Sequence, residues 1–270
     1  WFSQMELRQC ALDCLAIQSP AEKVPAVSAL QEQYANQKIS LTTESDITLN
    51  QPILGLPNKP ELVSPREVKH RAMNTDEGRA AMIHALAHIE FNAINLGLDA
   101  IWRFADMPKD YYGDWLKVAA EEAYHFSLLN AHLNKMGYQY GDFNAHASLW
   151  EMAEKTKEDV LARMALVPRT MEARGLDASP ALRNKLAQIG DEEAAAILDI
   201  ILRDEIGHVA IGNRWFNYLC VQRQLEPIST YANLAKQYQA PTPRKPFNHP
   251  ARLAAGFTEA ELDWLENPFG

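Results

Sequence analysis

Three glutamates in this 270-residue chain stand where a helix should be burying hydrocarbon, and they constrain the fold more than any other feature. Steps of three, four and seven or eight residues from Glu90 meet Ile83, Leu86, Ala87, Ala93, Ile94 and Leu98. The same steps from Glu122 meet Trp115, Val118, Ala119, His125, Phe126 and Leu129, and from Glu205 they meet Leu198, Ile201, Leu202, His208 and Val209. Apolar residues at this spacing form the core-facing stripe of a helix. A carboxylate on such a stripe is costly to bury unless it is paired, protonated or bound to a cation. No lysine or arginine lies three or four residues from any of the three. A bound metal ion is the natural counter-charge, so the chain reads as long helices built around metal.

Two strings sharpen this. "EEAYH" ends on Glu122-x-x-His125 and "DEIGH" on Glu205-x-x-His208, and each pair projects an oxygen and an imidazole nitrogen from one helical face. A lone glutamate precedes each by about one helical hairpin: Glu90 by 32 residues and Glu172 by 33. Two Glu-x-x-His motifs with one glutamate from each of two further helices is the two-metal arrangement of helical bundles. Four carboxylates and two neutral imidazoles balance two divalent ions. Oxygen and nitrogen donors without cysteine favour iron, or manganese as the alternative, over structural zinc. Glu172 is the least tidy member, three residues before Gly175 and near Arg169 and Arg174. The first acids of the two strings, Glu121 and Asp204, lie about 100° around their helices. They are expected to accept the N–H of a metal-bound imidazole on a neighbouring helix.

Other matches carry less. Glu67 and His70 also spell Glu-x-x-His, but Glu67 sits in the "SPRE" capping box and no apolar stripe surrounds it. His84 and His88 are spaced for one helical face, yet His88 is two residues from Glu90 and points elsewhere, so both are expected to be structural. Packing roles are expected for Tyr111, Tyr124, Trp102 and Trp115.

Periodicity and punctuation predict long helices over about 76–104, 111–135, 146–173 and 191–222, the third stopped by Gly175 and followed by a short helix from Pro180. The expected layout is an N-terminal helical segment and irregular arm (1–63, the arm being Thr48–Leu62), a four-helix bundle (64–225) and a proline-rich tail with one short helix (226–270), together one domain. Capping boxes are predicted at Ser19–Glu22, Ser64–Glu67 and Thr258–Glu261. Cys10, Cys14 and Cys220 give no disulfide framework. The opening "WFSQMELRQC" lacks the layout of a secretion signal, and no run approaches 18 apolar residues, so a cytoplasmic protein without a membrane span is expected. A net charge of −9 argues against a general nucleic-acid binder.

The ligand pattern, with the strings "AHIEFNAINLGLDAIWRF", "MEARGLD" and "KPFNHPARLAAGF", resembles the ferritin-like di-iron carboxylate superfamily, and within it an uncharacterised bacterial branch. The resemblance covers about residues 76–222 and reaches into the tail. It implies an all-α, ferritin-like four-helix bundle with N- and C-terminal extensions. Its implied site is Glu90, Glu122, His125, Glu172, Glu205 and His208 on two irons. It further implies a di-iron oxidase or oxygenase that uses O2 or peroxide to oxidise a small organic substrate. A ferroxidase, a tRNA-hydroxylase-like enzyme and a metal-stabilised protein without catalysis are the alternatives, and fold alone does not choose among them. Expected partners are a small-molecule substrate, O2, an electron donor and a second copy of the chain. Arg252, with Arg244, Lys245 and His249 around it, is the candidate substrate contact.

Overall fold

Helix starts follow the capping chemistry of the sequence. Thr75 Oγ1 accepts the amide of Gly78 at 3.0 Å and opens α3, Asp76–Arg103. Asp191 Oδ1 accepts that of Ala194 at 3.0 Å and opens α8, Glu192–Gln222. The computed structural model describes residues 5–47 and 54–268. Among them every extended element is helical, and the only β-pairings are two isolated parallel bridges, Glu6 with Ser40 and Leu62 with Ala145. The chain divides into two compact units, residues 1–148 and 149–270.

The first unit holds α1 (Leu7–Ala16), α2 (Pro20–Ala35), α3 and α4 (Lys109–Lys135). The α3–α4 hairpin is its centre, and α1 and α2 pack on it. Its corner is pinned by two tyrosines: Tyr111 donates to Ala100 O at 2.9 Å and Tyr112 to Phe104 O at 2.6 Å. Buried Arg8 donates to Ile101 O and Trp102 O, placing a cation on the unpaired carbonyls that end α3. Lys23 on α2 is also buried, and its Nζ donates to Leu15 O, Gly55 O and Asn95 Oδ1 at 3.1, 3.1 and 2.6 Å. The irregular arm thus ties to the hairpin through its described part; residues 48–53 lie outside the described residues. A Cβ on Gly55 would stand 2.4 Å from Ala16 O and Ile17 O, so only glycine lets the arm cross the end of α1. His84 accepts the amide of Gly141, and His88 joins Tyr140 Oη and His146 O, so both fasten the loop after α4.

The second unit holds α5 (Ser148–Lys155, whose first residue ends the first unit), α6 (Val160–Leu166), α7 (Arg174–Gln188), α8, α9 (Pro227–Gln237), α10 (His249–Ala254) and α11 (Glu259–Glu266). Between α6 and α7 the chain winds one π-helical stretch, Val167–Glu172, in which Ala173 N bonds Pro168 O five residues back at 3.1 Å. Ala173, Leu176, Val209, Ala251, Ala255, Phe257 and Leu262 form a buried apolar cluster there.

Three sequence expectations change. The third helix is not one rod from 146 to 173 stopped at Gly175: it breaks at 156–159, resumes at Val160 and runs through both Gly175 and Pro180 to Gln188. Proline inside a helix frees the carbonyl four residues earlier. Here that carbonyl, Leu176 O, receives Asn248 Nδ2 at 3.0 Å, so a residue 72 positions away makes Pro180 tolerable. The Ser64 capping box forms with both hydrogen bonds, but it opens only the 3-10 turn Pro65–Glu67, while Ser19 heads α2 without a side-chain cap. The tail contains three helices instead of one, because Glu226 and Asn248 cap α9 and α10 and put Pro227 and Pro250 at helix starts, where proline fits.

Candidate metal centre

The α3–α4 hairpin brings Glu90 and Glu122 to one level. Glu90 lies thirteen residues before the end of α3 and Glu122 thirteen after the start of α4. The helices approach closely because Gly97, seven residues beyond Glu90, leaves room for Ala119, three residues before Glu122; a Cβ on Gly97 would sit 3.0 Å from that of Ala119. The carboxyl groups then meet His125. Its Nδ1–H reaches Glu90 Oε2 at 3.0 Å and Glu122 Oε2 at 3.2 Å. Glu90 is 5 % exposed, Glu122 1 % and His125 0 %. These three offer ligand atoms within 4.8 Å of one another and form a buried group able to hold a metal ion.

The electrostatics of the trio are those of a site that wants a cation. Burial, then the neighbouring Glu122 carboxyl, pushes Glu90 up to about 8. For His125 burial opposes the charge, but the hydrogen bonds it donates to Glu122 and Glu90 and their negative potential win, holding the ring protonated up to about 11. Protons thus take the place a metal would occupy, and metal binding has to release them.

In the second unit Glu205 and His208 repeat the motif. His208 Nδ1 lies 3.2 Å from Glu205 Oε1, and both residues are buried. Glu172 closes the π-helical stretch with both carboxylate oxygens buried. Because α7 continues to Gln188, the hairpin turns at Gly190, where φ is +89°, and not at Gly175. Glu172 then lies sixteen residues before the end of α7 and Glu205 thirteen after the start of α8, levels within about one helical turn of each other. That removes the geometric misfit seen in the sequence. Pro168 of the π stretch seats on Gly212 of α8, where a Cβ would come within 2.5 Å of it. Gly97 and Gly212 went unnoticed in the sequence; their signal was a glycine seven residues past a buried glutamate.

The remaining candidates are placed as follows. Glu121 pairs with Lys117 at 3.7 Å, and Asp204 takes Arg203 Nε at 2.8 Å with only 13 % of its side chain exposed. Arg169 spends Nε on Asn213 and Nη2 on Glu261. Arg252 is buried and grips Asp177 through Nε and Nη2 at 3.0 and 2.6 Å, while Lys245 and His249 both bind Glu266. Tyr111, Trp102 and Trp115 are buried packing residues and Tyr124 is half-exposed.

No helix among the described residues is long and apolar enough to cross a membrane. No solved structure matches the chain. It is 50 % identical over 256 residues to an uncharacterized protein of Haemophilus influenzae, covering 92 % of this chain and 89 % of the relative. The family model described as "Protein of unknown function (DUF455)" matches residues 16–263, and the chain belongs to that family.

Proposed function

We propose that the protein is a di-metal oxidoreductase whose two irons, or manganese ions, are held by Glu90, Glu122 and His125 with Glu172, Glu205 and His208. The observation that carries this reading is the buried Glu90–Glu122–His125 group, two carboxyls and one imidazole nitrogen with no lysine or arginine among them. The donor set fits iron or manganese: hard oxygens, borderline nitrogen, no thiolate. The repeat of the Glu-x-x-His hydrogen bond at Glu205 and His208, with Glu172 level on the facing segment, supports assigning three more ligands to the same centre.

When bound, such a pair supplies the electrons that reduce O2 or peroxide while a small organic substrate is oxidised. The chain's own contribution is charge and geometry. Glu90 and His125 give up the protons they hold in the absence of metal, and the four carboxylates neutralise the cations. His125 and His208 would each hold one metal, and their Nδ1 atoms already face the carboxylates. Asp204 and Glu121 lie beside the ligands in sequence and are assigned to orient imidazole rings. The test is O2 uptake: protein loaded with ferrous iron without oxygen and then mixed with O2 should consume it rapidly, and Glu122→Ala should not. Equal uptake by the two proteins would refute the assignment.

A further inference from the structure

We propose that the first unit carries a binding site for a flat-ring monocarboxylate, in the open cleft between the start of α2, the last turns of α4 and the arm at Lys59. The cleft has a volume of about 500 Å³ and is lined by residues of that unit alone. Small-molecule sites fall in this size range and combine aromatic walls with a few placed polar groups.

α4 supplies one wall. Phe126, Asn130 and Asn134 follow one another at steps of four residues, so a single helical face turns a ring and two amides toward the cleft. Each amide offers both a donor and an acceptor to a ligand. The loop after α4 supplies the rest of the aromatic surface, and its rings are already fixed. Tyr140 packs edge to face on Phe126 with centroids 5.2 Å apart, and its hydroxyl is tied to His88 Nδ1 at 2.8 Å. Tyr138 rests on Phe143 at 5.5 Å. Rings held in this way offer a flat ligand a face without an ordering cost on binding.

Charge fixes the ligand class. In a chain of net charge −9, Lys59 is the one charged side chain among the described residues that line this cleft. Its backbone is held in place: Val63 N donates to Ala145 O at 2.8 Å and Ala145 N to Glu61 O at 3.0 Å. Gly141, at φ +111°, lets the lysine stem approach so closely that a Cβ there would stand 3.0 Å from that of Lys59. The ammonium itself is exposed and forms no ion pair among the described residues. Nearby carboxylates are committed elsewhere, since Glu61 lines a separate cleft and Asp142 accepts the amide of Gln139 at 2.7 Å. One unmatched positive charge suits one negative charge. A cationic ligand would be repelled, and a dianion would bring a second charge with no partner.

The site stands independently of the metal reading and is tested on the purified full chain by calorimetry and ligand-observed NMR. The probes 2-naphthoate, 2-naphthyl phosphate and 2-naphthamide share one ring system and differ in charge. 2-Naphthoate should saturate one site per chain, more tightly than the phosphate and about fivefold more tightly than the amide, the gain expected of one exposed ion pair. Lys59→Met changes an exposed side chain, so its melting curve should match the wild type. It should bring 2-naphthoate down to the affinity of the amide and leave the amide unchanged. Asn130→Trp, which fills the cleft, should abolish binding of both. No saturable binding of 2-naphthoate, equal affinity for acid and amide, or tighter binding of the phosphate would overturn the proposal. So would a Lys59→Met protein that still prefers the acid, or undiminished binding by Asn130→Trp.

Discussion

The buried glutamates and the buried Lys23 handle their charge differently, and the difference lies in what each side chain can reach. Glu90, Glu122 and His125 meet each other, so their charge problem is solved by shared protons or by a metal. Lys23 meets only neutral acceptors, and burial pushes its ammonium down to about 7. The unfolded lysine keeps its proton to about pH 10.4. Between those values the unfolded chain binds more protons than the native one, so this group makes stability rise with pH across about 7 to 10, and contributes no slope below 7. Wild-type stability by urea denaturation should therefore climb relative to Lys23→Met over that window, by up to about 1.4 kcal/mol per pH unit. Parallel curves for the two proteins would show that Lys23 stays charged in the fold. The buried glutamates were legible because the residues that exposed them are local, three and four positions away. Lys23 was not, since its acceptors lie as far off as Asn95 and Gly55, and nothing near it in sequence announces them.

Among the elements, long uninterrupted stripes were readable and interrupted ones were not. α3, α4 and α8 begin and end within about two residues of where periodicity and caps put them. The helix around Glu172 was misread because glycine and proline are penalties that tertiary contacts can outweigh, here through Asn248 on Leu176 O. Asn248→Ala removes that bond and the cap on Ala251 N together, and should lower stability by about 1–3 kcal/mol, measured by thermal melting. The π stretch makes a second, separable claim. Gly212→Ala drives a Cβ into Pro168 and should cost about 1–3 kcal/mol, with a drop in metal content, since the displaced segment carries Glu172. Gly175 has open space where a Cβ would go, so Gly175→Ala serves as the silent control.

For the whole molecule, the two compact units place one Glu-x-x-His hairpin in each half of the chain. Arithmetic along the chain put Glu90 and Glu122 level across one turn, but left Glu172 and Glu205 out of register, because it stopped the helix at Gly175 where the structure runs on to Gln188. It could not weigh the tail, whose two further helices depend on caps that look like ordinary loop residues. On the di-metal reading the added segments would interfere with close packing into an iron-storage shell, so light scattering should give the mass of one or two chains. A large closed assembly would instead favour iron storage. The central claim, that both hairpins supply one two-metal centre, is tested most directly by elemental analysis of the purified, reconstituted protein beside a Glu122→Ala/Glu205→Ala variant. The account predicts about two irons or manganese ions per chain in the wild type and fewer than one in the variant. Less than one metal per chain in the wild type, or an unchanged content in the variant, would contradict it.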